Sequence, residues 1–346
     1  MVTHALPNPQ LTQIAMCAAD LPATVRFYAE VFGFARSGGK VLWGERVAQI
    51  QGLGEDAQFL VSWMVGRQDF VQLELFHHTK PALKPRSASW RPCDLGYTRF
   101  GIAVPDFDAT MARLAATGTA QIAPPVMYDG LRRVCFVDPN GIVVEVLEDG
   151  LGLPGGLRRR RFPLEPAVIY AAVSVPDIEK SRRFYVETLG LVEEPGELLH
   201  TPEMERLWGL DGADRDLALA RAGDIFFEIV QYRDPVPRPH PEGYLLSDQG
   251  FLNVAFAFRE RALFDEMLAR VLAAGYHANY LPAAGTGFAS TYLTDDQGYS
   301  VEIFGCPREF DSALGFEPEP GFAPVATASE APIIGLTIGL AATARR

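Results

Sequence analysis

AADLPATVRFYAEVFGF (18–34) and VPDIEKSRRFYVETLGL (175–191) are one pattern written twice. Asp20 and Asp177, Phe27-Tyr28 and Phe184-Tyr185, and Gly33 and Gly190 share a single offset, which returns where FVDPNGIVVEV (136–146) answers LTDDQGYSVEI (293–303). Asp138 and Asp295, Gly141 and Gly298, and Glu145 and Glu302 hold the same spacing. A register kept that long means tandem copies of one folding unit.

Working outward, a weaker echo runs inside each copy. IAMCAADL (14–21) resembles GIAVPDF (101–107), and IYAAVSVPDI (169–178) resembles VAFAFRERA (254–262). Each is a short apolar run ending in an acidic residue, followed by a helical pattern such as ATMARLAATG (109–118) or ALFDEMLARVLAAG (262–275). Strand, acidic N-cap, amphipathic helix and glycine stop form the local grammar. Further strand-like runs follow: FLVSWMV (59–65), FVQLELF (70–76) and RVCFVD (133–138), then LALARA (217–222) and IFFEIVQY (225–232). The reading is an α+β protein of four βαβββ modules forming two tandem domains. Their expected bounds are 1–150 and 167–315, with a Gly/Pro/Arg-rich linker at 151–166 and a flexible Pro/Ala-rich tail at 316–346.

The 346 residues suit two domains, and 48% hydrophobic with 21% charged residues is ordinary for a globular chain. A net charge of −12 argues against nucleic acid or an anionic membrane as the main partner. The basic run Arg158–Arg161 reads as a solvated linker, with contact to an acidic surface or ligand as the alternative. Four cysteines without CxxC spacing read as buried thiols. The chain opens without a signal-peptide pattern, and IIGLTIGLAATA (333–344) is too short to span a bilayer, so a cytoplasmic location is expected. A monomer and a homodimer both remain open.

The strand–Asp–helix–FY opening and the DPxG-like close of each copy resemble the vicinal oxygen chelate superfamily, which includes glyoxalase I, extradiol dioxygenases and bleomycin-binding proteins. The resemblance covers about residues 11–148 and 167–306. It implies cup-shaped mixed sheets and a divalent metal, with Mg, Mn, Zn and Fe all open. It also implies ligand positions on four strands of each copy. Counted along this chain they fall at Gln13, Glu74, Arg99 and Glu145, then at Tyr170, Glu228, Asn253 and Glu302. The histidines usual in that family are missing from these positions, and a guanidinium has no lone pair for a metal. If the copies trade partners, Gln13 and Glu74 meet Asn253 and Glu302, an all-oxygen set suited to a hard ion.

The functional expectations follow. Glu74 or Glu302 is the general base, with Gln13, Glu74, Glu145, Glu228 and Glu302 as metal-ligand candidates. Arg99, Tyr170, Asn253 and His78 are substrate-binding candidates; His78 shares a strand phase with Glu74. The activity expected is proton transfer on a small oxygenated substrate, of isomerase, epimerase or lyase type. A sequestering protein that stacks ligands on Trp63, Trp90, Trp208, Phe226 or Phe227 is the alternative. Ring-cleaving dioxygenase chemistry would need His78 or His200 to supply the missing imidazoles.

Overall fold

A computed structural model describes residues 8–54, 56–150 and 161–320. Module one holds β1 (Gln10–Cys17), α1 (Leu21–Phe27), β2 (Ala35–Trp43), α2 (Glu45–Gln51), β3 (Gln58–Val65) and β4 (Gln72–Lys80). Module two holds β5 (Gly96–Val104), α3 (Phe107–Ala116), β6 (Val126–Tyr128), β7 (Leu131–Val137) and β8 (Val143–Glu148). Module three holds β9 (Ala167–Ser174), α4 (Ile178–Arg182), β10 (Val192–Glu194), β11 (Asp214–Ala222) and β12 (Ile225–Asp234). Module four holds β13 (Gly250–Phe258), α5 (Arg261–Ala273), β14 (His277–Ala278), β15 (Ala289–Thr294) and β16 (Ser300–Gly305). Four βαβββ modules are therefore present, in an α+β fold.

The sheets cross the repeats. Sheet A runs β14-β15-β16-β13-β1-β4-β3-β2, joining the first module to the fourth. Sheet B runs β10-β11-β12-β9-β5-β8-β7-β6, joining the second to the third. The seams are the antiparallel pairs β1–β13 and β5–β9, flanked on both sides by parallel pairs within modules. Strand alternation sends one face of each sheet into a shared core, where Ile14, Met16, Leu73 and Leu75 meet Phe100, Ile102, Phe227 and Phe256. The opposite faces are left to line two cups, A and B.

The repeated motifs build this core rather than a site. Asp20, Asp106 and Asp177 accept from the backbone N–H three residues on, capping α1, α3 and α4 at 2.9–3.0 Å. Glu260 stands at the start of α5 but its longer side chain makes no cap bond. The short α1 runs on as a π-helical turn to Phe32, which Gly33 stops at φ 84°; Gly190, at φ 80°, serves the other copy. Tyr28 of the FY pair donates to Asp138 Oδ2 at 2.8 Å, and Asp138 Oδ1 accepts from the N–H groups of Asn140 and Ile142. That ties the first module's helix to the second module's turn.

Two expectations need correction at the chain's connectors. Phe316 is buried against Phe70 and Phe304, and the Glu319 N–H donates to Arg36 O, so the start of the expected flexible tail is docked on sheet A. Arg161 is not simply solvated but pairs with Asp69, Asp311 and Glu317. Arg158 to Arg160 and residues 321–346 lie outside the described residues. All four cysteines are free and buried.

Candidate functional site

Cup A gathers Gln13 from β1, Glu74 from β4, Asn253 from β13 and Glu302 from β16. These are the four central strands of sheet A, and all four side chains are under a tenth exposed. Apolar clusters flank them: Phe59, Val61, Phe76 and Leu252 on one side, Phe70, Phe304 and Phe316 on the other. Glu74 Oε1 accepts from Trp63 Nε1 at 2.9 Å, and Glu302 Oε1 accepts from Ser290 Oγ at 2.5 Å. Gln13 donates to Gln72 at 2.7 Å, which in turn donates to Gly315 O at 2.5 Å.

What stays unpaired in cup A is the informative part. Gln13 Oε1, Glu74 Oε2 and both amide atoms of Asn253 are buried without a well-formed hydrogen bond. Leaving such groups unpaired costs about 1–3 kcal/mol each, so a cluster of them marks a place built for something else. Burial, and for Glu74 also the charge of Glu302, pushes both carboxyls well above the usual range. No ion pair to a basic side chain is made by either acid among the described residues.

Cup B has the same frame and the opposite content. Arg99 from β5 pairs with Glu228 from β12 and stacks on Trp208, 3.9 Å from its ring centre. Arg133 from β7 donates to Glu145 Oε1 at 2.5 Å, and Tyr170 from β9 donates to its Oε2 at 2.5 Å. His200 fits between them, with Nδ1 2.6 Å from Glu228 and Nε2 2.7 Å from an Arg133 nitrogen. Nε2 is also 3.0 Å from Glu145 Oε2, so the ring bridges the two acids. Burial alone would raise these carboxyls, but the arginine charges and His200 outweigh it and hold both well below the usual range. A turn of 3-10 helix, Pro202–Trp208, lays Met204, Leu207 and Trp208 over the network.

Several expectations change here. Glu145 and Glu228 are not open ligand positions, because each is saturated by a guanidinium and His200. Arg99 and Tyr170 are not free to hold substrate, since their polar ends are spent on Glu228 and Glu145. His78 is buried, with Nε2 3.1 Å from Gln51 Oε1 and Nδ1 3.5 Å from Cys17 Sγ; burial, then His77, lowers it to about 4. Neither cup joins two imidazoles to a carboxylate among the described residues, and no cluster of three His, Cys, Asp or Glu suited to a metal occurs there. Trp208 and Phe226 are packed into cup B, Phe227 into the shared core, and Trp90 lies under Arg86.

Sequence reasoning missed Gln72, Ser290 and Tyr292 in cup A and Arg133 in cup B. Ser290 and Tyr292 share a strand phase, and Tyr292 lies directly opposite Glu302 across β15–β16. Cys135 stands opposite Glu145, so Arg133 shares its face. The alternation was readable; the register that brings these pairs together was not.

Comparison with known proteins agrees with this fold. Residues 10–146 match the family model described as Glyoxalase/Bleomycin resistance protein/Dioxygenase superfamily. A putative dioxygenase from Bacillus subtilis subsp. subtilis str. 168 superposes with a TM-score of 0.60 at 15% identity, covering 90% of this chain and 91% of its own. Glyoxalase I from Zea mays gives 0.54 at 14% identity, covering 86% of this chain and 92% of its own. None of the curated proteins compared with the chain matches it. At these identities the likeness concerns the fold.

Proposed function

Because residues 10–146 match the model of the Glyoxalase/Bleomycin resistance protein/Dioxygenase superfamily, we propose that cup A is a working site that moves a proton on a small oxygenated substrate. The reaction class is isomerisation, epimerisation or lyase chemistry. The observation that supports it is the meeting of two buried carboxyls and two carboxamides on adjacent strands, with Gln13 Oε1, Glu74 Oε2 and Asn253 Oδ1 left without a hydrogen bond.

Trp63 fixes one oxygen of Glu74, which leaves Oε2 as the atom that can take a proton from a carbon beside a carbonyl. The electron pair of that C–H bond moves onto the carbonyl carbon–oxygen unit, and the amides of Gln13 and Asn253 orient its oxygen. Glu302, steadied by Ser290, stands across the cup to donate its own proton to that carbon, which leaves Glu74 protonated and Glu302 ionised until proton exchange resets the pair. The apolar flanks exclude water, which strengthens each of these contacts.

The family implies a divalent metal, and cup A fits one. Gln13, Asn253 and the two carboxylates would hold a hard ion such as Mg or Mn, which would polarise the substrate oxygen. Cup B does not fit, because fixed guanidinium charges stand where a cation would need donors.

The test is hydrogen exchange into D2O, followed by NMR over a panel of hydroxy- and ketocarbonyl compounds. Glu74→Gln and Glu302→Gln should slow exchange by about 10²–10⁴-fold, while Glu228→Gln leaves it unchanged in folded protein. Full activity in both cup A variants sinks the reading. Saturable binding without exchange would make cup A a holding site instead.

A further inference from the structure

We infer that a second small-molecule site, separate from cup A, lies in the cleft between the 81–95 connector and the rim of sheet B, and that it takes an organic monocarboxylate with an apolar body. The cleft has a volume of about 460 Å³, within the range of small-ligand pockets. Ile122, Val143 and Trp208 give it apolar walls, Asn140 and Gln249 add amides, and Arg86 lies on its side.

Arg86 is the reason for the carboxylate. Arg86 is part-buried, unlike solvent-exposed cations such as Arg26 and Arg46, so water does not fully replace a missing partner. Among the described residues Arg86 nevertheless makes no ion pair and no side-chain hydrogen bond, and its Nη1 is buried with no acceptor. The carboxylates nearby are already spent. Asp94 is held by Arg91 at 2.7 Å and Arg238 at 2.6 Å. Asp138 is held by Tyr28 and two backbone N–H groups.

The guanidinium is also fixed in place. It stacks 3.6 Å from the Trp90 ring centre, and its backbone N–H donates to Gln249 Oε1 at 3.1 Å. A planar guanidinium stacked on an indole, on a residue that lines a cleft with apolar walls, is preorganised for a carboxylate on a flat or branched body. One unpaired cation suits a monoanion; a phosphate dianion would call for more. Burial lowers this group to about 10, so it remains charged at neutral pH.

The probe is 2-naphthoate, compared with neutral 2-naphthamide, on the full chain by calorimetry and by NMR of the tryptophan indole N–H signals. Naphthoate should bind saturably, about tenfold or more tighter than the amide, and shift the Trp90 and Trp208 signals. Arg86→Met should erase that preference, Arg86→Lys should keep part of it, and Glu302→Gln in cup A should leave it intact. Equal binding of acid and amide, absence of saturable binding, or an unchanged preference in Arg86→Met overturns the proposal. Loss in Glu302→Gln would place the ligand in cup A and overturn it too. The acid–amide comparison on the unaltered protein stands even if the Arg86 variants fail to fold.

Discussion

Cup A and cup B share strand order, register and paired glutamates, and they differ in what faces those glutamates. In cup B two arginines, a tyrosine and a histidine meet the acids, and every carboxylate oxygen has a partner. In cup A the acids face each other and two amides, and Gln13 Oε1, Glu74 Oε2 and Asn253 Oδ1 are left without a hydrogen bond. In the first arrangement every carboxylate oxygen has a partner, although Arg99 Nε and Trp208 Nε1 do not; the second leaves a carboxylate oxygen and amide oxygens open to a further molecule or ion. One scaffold can therefore carry a closed structural core and an open site side by side, and a few side chains decide which is which.

The largest effect expected from breaking this contrast is on stability in cup B. Arg133→Met strands the Glu145 carboxylate in a dry interior, which costs about 3–5 kcal/mol. Adding Glu145→Gln should recover much of that, since the cost lies in the unpaired charge. Urea unfolding of both variants measures it. A single variant as stable as the unaltered protein would mean that Arg133 and Glu145 are not a coupled buried pair.

Acid provides the next test. Glu145 and Glu228 are depressed in the folded state, so the unfolded chain binds their protons first as pH falls. Their stabilisation is fully present above the ordinary carboxylate value of 4.5 and is lost as pH drops toward about 2. Midpoints of thermal unfolding between pH 6 and 3 should fall more steeply for the unaltered protein than for Glu228→Gln. Parallel curves would remove cup B from the account of acid sensitivity.

How much of this was legible follows from what each residue answers to. The Asp20 and Asp177 caps, Gly33 and Gly190, and the Asp138 turn obey local rules, so their repeat exposed the modules. Glu74 and Glu302 were found at ligand positions that the family resemblance implies, counted along the strands. Whether an acid is free depends instead on partners brought in by register and by irregular segments. Arg133 reaches Glu145 across a strand pair, and His200 arrives just before a 3-10 turn whose sequence, PEMERLW, carries no sheet signal. Arg99 reads equally as a substrate anchor and as an internal partner of Glu145, and the structure pairs it instead with Glu228, 129 residues away.

The smallest expected effect bears most directly on which cup is open. A hard divalent ion held by Gln13, Glu74, Asn253 and Glu302 binds only the folded chain, so Mn or Mg at a hundred times its dissociation constant should stabilise by about 2.7 kcal/mol. The gain should vanish in Glu302→Gln, which removes a charged donor, and survive in Glu228→Gln, where the removed charge already belonged to Arg99. Thermal unfolding with and without a chelator reads both. If Glu228→Gln abolished the gain and Glu302→Gln did not, the open and closed cups would have to be exchanged, because only a cation displacing the guanidinium network could give that result.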